Sequence, residues 1–230
     1  MRDVPAGFQV LLLRRNSRAG FVPGAYVFAG GRVDASDADS GALARIDGLT
    51  AERAARRLGL PDGDPPAIAY YVAAVREAFE ETGILVGVES RLGQPRLAQI
   101  RDDLLEDRIG FGDALARIDS RIAGDVLEYL AHWITPELEP RRYDARFFAA
   151  RAPEGAEPIV DAREMTHALW VTPSEGVKGA ETGDLPMILP TVQTLRQLAA
   201  FGSSVEVLLV LPGLDVPRIL PSSDAVPRRR

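Results

Sequence analysis

Strand-like and helix-like segments interleave along this chain, which predicts an α/β (α+β) sandwich. Three segments carry that expectation. Gln9-Val10-Leu11-Leu12-Leu13, inside Phe8 to Arg14, is almost continuously apolar and suits a strand covered on both faces. Ala67 to Thr82 places Ala67, Tyr70, Tyr71, Ala74, Val75, Ala78 and Phe79 at helical spacing. Ala168 to Val171 then returns to a strand pattern.

The other elements follow in chain order. Residues 16–24 read as a loop, and Ala25 to Phe28 as a short strand running into Gly30-Gly31, where glycine permits positive φ and close backbone approach. Residues 34–66 read as loop, helix near 50–58, loop, with Thr50 as the N-cap. Gly83 stops the long helix, and Ile84 to Val88 reads as a strand. Residues 97–131 read as two helical segments split near Gly110 and Gly112, forming either a cap or an oligomer surface. The second half of Arg141 to Ala149 is a strand. Thr172-Pro173-Ser174-Glu175 opens a turn or helix, Thr191 to Ala200 is a helix, and Val205 to Leu211 is a final apolar strand. There is no internal repeat.

Composition narrows the function. The 230 residues are 46% apolar and 26% charged, enough to build an ordinary globular core. A net charge of −6 argues against nucleic acid as the partner, since a phosphate backbone wants a basic surface. A small anionic substrate stays open, because metal ions supply positive charge locally. With no cysteine, disulfides, thiolate metal sites and cysteine nucleophiles are excluded, and a reducing cytoplasm fits. No apolar run approaches the roughly 20 residues that span a bilayer, and Val10 to Leu13, followed by Arg14-Arg15, is too short for a signal peptide. Arg228-Arg229-Arg230 reads as a solvated tail.

The chemistry sits in Arg76-Glu77-Ala78-Phe79-Glu80-Glu81-Thr82-Gly83-Ile84. Glu77, Glu80 and Glu81 stand at i, i+3 and i+4, so they share one helix face. Three like charges this close call for a positive partner. A hard divalent cation such as Mg²⁺ or Mn²⁺, which takes oxygen ligands and bridges phosphates, is the natural one. A bare Glu-x-x-Glu-Glu is more often a solvated acidic face. Arg76 before it, Gly83 after it and the upstream Gly30-Gly31 loop shift the balance.

Together these residues resemble the signature of the Nudix hydrolases: a glycine, an acidic residue, then Arg-Glu-apolar-x-Glu-Glu-x-Gly-apolar. Gly31, five residues, then Asp37 reproduces the first spacing with Asp in place of Glu, although a solvated loop Asp is an equal reading of Asp37. The family spacing then places the arginine at 45. It stands at 76, so the signature carries a 31-residue insertion. An interrupted signature is similar to the subgroup of peroxisomal acyl-coenzyme A diphosphatases. Val27 to Asp34, His132-Trp133-Ile134-Thr135-Pro136, Arg141 to Phe148, and Leu189-Pro190-Thr191 with Thr194-Leu195 resemble further landmarks of that group. Ala29 replaces its usual proline, the strand expected before Pro5-Ala6-Gly7 is missing or differently filled, and no Ser-Lys-Leu peroxisomal address ends the chain.

The resemblance implies a single domain over 1–230, a Nudix-type α/β/α sandwich with a mixed β-sheet, an insertion at about 38–66 and a helical segment at about 97–131. It implies that Glu80 and Glu81 bind metal and that Glu77 is ligand or base. Arg76 orients the carboxylates. Gly30, Gly31 and Arg32 shape the phosphate loop. Glu164, with Glu139 as rival, offers a further base or ligand. Arg141, Arg142 and Arg146 are candidates for substrate phosphates, with a structural network around Asp144 as the other reading. Tyr143, Phe147, Phe148 and Trp170 read as core, and His132 and His167 as structural. The implied reaction is metal-dependent hydrolysis of a nucleoside diphosphate linked to another moiety. Coenzyme A or an acyl-CoA is favoured, and ADP-ribose, NADH and other dinucleotides stay open. A non-catalytic module sensing a nucleotide metabolite is the alternative, and a homodimer is one use of the 97–131 segment.

Overall fold

The computed structural model describes residues 1–18, 22–61, 63–137, 142–161 and 163–221. Glu139, Arg141 and the Arg228–Arg230 tail therefore lie outside the described residues.

The expected long strand is β2 (Gly7–Arg15), which forms a hairpin with β1 (Arg2–Val4) in the register Arg2–Gln9 and Val4–Gly7. The edge strand that the sequence left missing or differently filled is thus supplied by the first four residues. β3 (Tyr26–Val27) pairs with the far end of β2 and delivers the Gly30-Gly31 loop.

The insertion is structured throughout much of its length. A short 3-10 turn over Ala35–Ala38 leads to α1 (Ser40–Leu43), β4 (Ile46–Asp47) and α2 (Ala51–Leu58). Thr50 caps α2 as expected, its side chain accepting from the Arg53 amide at 3.2 Å. α3 (Ala67–Thr82) follows, and Gly83 ends it at φ 71°, a conformation that favours glycine.

Three of the expected elements are corrected here. Ile84 to Val88 is not a strand. Gly83 and Gly87 both take positive φ and bend the chain, so Ile84, Leu85 and Val88 enter the core from a loop, and Val88 makes one antiparallel bridge to Ile122. The helical reading of 97–131 holds only in part. α4 (Gln94–Leu105) and α5 (Phe111–Ile118), capped by Gly110, are followed by β5 (Ile122–Ala123) and β6 (Glu128–Ile134). The central residues of β6 are buried on both faces, so periodicity does not distinguish it from a buried helix.

β7 (Asp144–Ala149) pairs antiparallel with β6, and β8 (Met165–Val171) with β2. α6 (Pro173–Thr182) and α7 (Leu189–Leu198) follow. The third correction is that Val205 to Leu211 is not a strand: Val205 to Val210 lies in α8 (Ser204–Val210), and Leu211 opens the 3-10 turn after it. The α8 N-cap Ser203 accepts from the Glu206 amide at 3.1 Å, a Ser-x-x-Glu start that outweighs the apolar run. β9 (Arg218–Ile219) adds to β6 in parallel, so the β7-β6-β9 sheet is mixed.

Two apolar clusters hold these layers. One gathers α1 to α5 around Tyr71, Val75 and Phe79 of α3. The other lies among β2, β6, β8, α7 and α8, around Leu12, Leu130, Trp133 and Leu195. β6 serves both, giving Tyr129 to the first and Leu130 and Trp133 to the second. Phe147 and Phe148 pack against the clusters as expected, while Tyr143 is exposed and not core. No helix among the described residues is long and apolar enough to cross a membrane.

Candidate active site

The C-terminal half of α3 presents the acidic face, and Arg76 organises it. Its guanidinium is buried and nearly every donor is used. Nε reaches Asp37 Oδ1 at 2.8 Å and Nη2 reaches Asp37 Oδ2 at 2.9 Å, a bidentate fork. Nη2 also donates to the Arg32 carbonyl at 2.9 Å. Nη1 holds Glu80 Oε2 at 2.8 Å and pairs with Glu77 Oε1 at 3.0 Å. Asp34 stands 3.4 Å away on the solvent side.

Asp37 is 0% exposed, so it is not a solvated loop residue. Its Oδ2 accepts the Asp34 amide at 2.8 Å, which fixes the short 3-10 turn that carries it. The 31-residue insertion loops away between Asp37 and Arg76, and the two ends of the interrupted motif meet in space.

The glycine loop closes over the same face. Gly30 donates its amide to Glu81 Oε2 at 2.9 Å. Gly31 lies so close to Glu77 that a Cβ there would fall 2.6 Å from Glu77 Cδ, so only glycine fits without displacing the carboxylate. The helix end is secured from outside. Arg101 of α4 donates Nε and Nη2 to the Glu80 carbonyl at 2.9 and 2.6 Å. The Asp161 and Ile159 amides reach the Glu81 and Thr82 carbonyls at 3.3 and 2.8 Å. These contacts satisfy last-turn carbonyls that would otherwise lack partners. Arg101 was missed by sequence reasoning. Its only trace was an arginine within an amphipathic helix, with nothing to place it against α3.

Burial shapes the electrostatics. Glu77 is pushed up to about 7, chiefly by desolvation, with Arg76 pulling the other way. Glu81 is pushed up to about 8, again chiefly by desolvation, against the Gly30 hydrogen bond and with Glu77 and Glu164 adding negative field. Glu80 is also raised by burial. For Arg76, burial opposes the charge, but the Asp37 hydrogen bonds and the Glu77 and Glu80 carboxylates outweigh it and raise its pKa. One guanidinium thus serves several carboxylates, and the local balance lacks positive charge.

The remaining candidates fall in different places. Arg32 contributes its carbonyl to Arg76, while its residue is exposed beside the glycine loop. Glu164 is exposed; its carbonyl accepts from the Asn16 amide at 2.8 Å, and its carboxylate acts on Glu81 through the field. Arg142 sits at the tip of the β6–β7 hairpin, against the Thr135 carbonyl and Glu137, not on the signature face. Arg146 joins the Asp144 network, at 2.6 Å, with His132 on the same carboxylate at 2.7 Å. His132 is buried against Asp144, and Trp170 lies under the Arg2 guanidinium.

Glu77, Glu80 and Glu81 offer the oxygen donors a hard cation takes, and burial raises the pKa of all three. In this arrangement Glu80 turns to Arg76 and Glu81 to Gly30, and among the described residues no three acidic or histidine side chains converge as a finished ligand cluster. The donor set fits a divalent metal in chemistry.

The model of the NUDT19 Nudix domain matches residues 49–198. The human protein named acyl-coenzyme A diphosphatase NUDT19 is 32% identical over 238 residues, taking in 88% of this chain and 64% of that protein. Its namesake in Gallus gallus is 27% identical, taking in 86% of this chain and 63% of that protein. The chain therefore spans a little under two thirds of the length of these relatives. A crystal structure of a NUDIX hydrolase from Alicyclobacillus acidocaldarius superposes with a TM-score of 0.70 at 26% identity, covering 94% of this chain and 92% of that one.

Proposed function

The chain belongs to the Nudix family, through the NUDT19 Nudix domain, and from that membership we propose that it is a metal-dependent hydrolase of a diphosphate bond. The substrate is a nucleoside diphosphate linked to another moiety, with coenzyme A or an acyl-CoA favoured. The observation that carries the reading is the buried, charge-poor carboxylate face of α3, framed by the Arg76–Asp37 fork. The name shared by the human and Gallus gallus relatives supports the choice of coenzyme A. We read the chain as one such domain carrying a folded insertion.

Glu77, Glu80 and Glu81 would hold Mg²⁺ or Mn²⁺, which when bound lowers the pKa of water and neutralises charge on the diphosphate. The protein's own groups divide the remaining work. Arg76 holds Glu77 and Glu80 in place and is itself fixed by Asp37. Gly31 leaves room for Glu77, and the Gly30 amide aims Glu81. The exposed backbone of Gly30, Gly31 and Arg32 lies where phosphate oxygens would approach. Glu77 is buried with a pKa near neutrality, which suits a base that takes a proton from attacking water. Glu164 stands by on the solvent side as the alternative base. Arg142 is retained only as a contact for the far end of a long substrate.

A mass-spectrometric screen of coenzyme A, ADP-ribose, NADH and diadenosine polyphosphates, with Mg²⁺ and with Mn²⁺, tests this. Cleavage to two phosphate-bearing fragments is expected, with coenzyme A fastest and chelation abolishing it. Metal-independent binding without turnover would favour the sensing module instead. A cytoplasmic location and a homodimer are proposed on sequence grounds alone; cell fractionation and analytical ultracentrifugation test them.

A further inference from the structure

The insertion builds something the hydrolytic reading does not use. α2 carries Arg53, Arg56 and Arg57 at i, i+3 and i+4, the cationic counterpart of the glutamate spacing on α3. These three line a cleft of about 760 Å³, joined by Arg146 from β7 and Arg218 from β9. That volume is within the range of small-molecule sites.

Five arginines meet here in a chain whose net charge is −6. Four acids, Asp125, Glu128, Asp144 and Asp215, also face the cleft. Asp144 is already shared by His132 and Arg146 at 2.7 and 2.6 Å. Glu128 is raised by burial despite the fields of Arg57 and Arg53. Arg56 feels Glu52 on its own helix, yet neither the Arg56 nor the Arg218 side chain forms an ion pair or hydrogen bond among the described residues. The cleft therefore keeps spare cationic donors.

Two of the arginines are held in advance. Arg57 donates to the backbone carbonyls of Leu214 at 2.8 Å, Tyr129 at 3.4 Å and Leu211. Arg146 lies 4.9 Å over the Tyr70 ring, with its side chain 4% exposed. Just beneath the cleft surface, Arg57 Nε, Arg146 Nε and Tyr129 Oη lack an acceptor, and although Tyr129 Oη neighbours the Arg146 guanidinium, no well-formed hydrogen bond joins them. Sealed from solvent, these atoms leave the Arg57 and Arg146 guanidiniums as fixed positive charge behind the wall, while the exposed Arg53, Arg56 and Arg218 are the donors an anionic ligand reaches. A phosphate group is acceptor-only and anionic, and guanidinium forks match it.

We propose that this cleft, built by the insertion and the C-terminal segment, binds a phosphate-bearing small molecule at a site separate from the carboxylate helix. Tyr71 marks the separation. It lines the cleft six residues before Glu77, about 9 Å along the helix axis, and none of Arg76, Glu77, Glu80 or Glu81 reaches the lining. The inference does not depend on the hydrolytic reading.

The test is calorimetric titration of inorganic pyrophosphate into the full chain in EDTA at low salt, where the unmetallated carboxylate face repels anions. Saturable one-to-one binding is expected. Arg53→Glu with Arg56→Glu should weaken it by about tenfold or more, on the scale of losing charge-assisted hydrogen bonds. Arg56→Gln alone, at an exposed position, should weaken it several-fold if the double variant does not fold. Glu81→Gln should leave it within about twofold, which separates this site from the proposed metal site. Repeating the titration with saturating coenzyme A distinguishes two sources of the same chemistry. Competition means that the cleft takes a phosphate borne by the substrate; no competition means that it takes a free phosphorylated ligand. Absence of saturation in EDTA, or an affinity unchanged in both arginine variants, overturns the proposal.

Discussion

Replacing Glu81 by Gln should make the metal-free protein more stable while removing its activity. Glu81 ionises near 4.5 when exposed and near 8 in the fold. Folded protein therefore keeps this proton from about pH 4.5 to 8 where the unfolded chain has released it, and stability falls as pH rises through that window. At 1.36 kcal/mol per pH unit, the penalty is near zero at pH 4.5, about 2 kcal/mol at pH 6 and about 4 kcal/mol by pH 8. Gln is uncharged, matches the shape and still offers an oxygen to the Gly30 amide. Thermal unfolding in EDTA at pH 8 should then place Glu81→Gln about 8–16 °C above the parent, at roughly 2–4 °C per kcal/mol for a domain of this size. The gap should close towards pH 5. It should also narrow in saturating Mg²⁺, which stabilises only the parent's ionised carboxylate. A gain under about 1 kcal/mol at pH 8, or one that persists unchanged at pH 5, would refute the idea that Glu81 is a buried carboxylate short of positive charge.

Three further substitutions probe the frame. Asp37→Ala strands the buried Arg76 fork and should destabilise the protein by about 3–5 kcal/mol in denaturant unfolding, whereas a solvated Asp37 would change stability by less than about 0.5 kcal/mol. Gly31→Ala drives a methyl into the Glu77 carboxylate and should lower kcat/KM by about a hundredfold through misplacement, with circular dichroism unchanged. Arg101→Gln removes both hydrogen bonds to the Glu80 carbonyl and should cost about 2 kcal/mol. Hydrogen exchange should show it as faster exchange at the Gly83 amide than in the parent.

Local chemistry was legible without coordinates. Thr50 before α2, Gly83 after α3 and the apolar spacing of α3 each report a preference set within one helical turn, and the structure has all three. The same locality explains the errors. Val205 to Leu211 is apolar enough for a strand, but the decisive signal was Ser203 and Glu206, a cap rather than a periodicity. The residues of β6 are buried on both faces, so their pattern carried no period. Ile84 to Val88 is apolar enough for a strand, but Gly87 within it and Gly83 before it take positive φ and bend the chain.

The arginine and three glutamates on one face of α3 were determined by the sequence itself, because i, i+3 and i+4 are neighbours on any α-helix. What surrounds that face was decided by the tertiary structure. Asp37 meets Arg76 across 39 positions, and no local rule distinguishes it from a solvated acid. Gly30 and Arg101 reach Glu81 and Glu80 from 51 and 21 residues away. These contacts exist only once the insertion has folded aside and the layers have packed, and the burial they create turns an acidic surface into a buried carboxylate face held by one arginine.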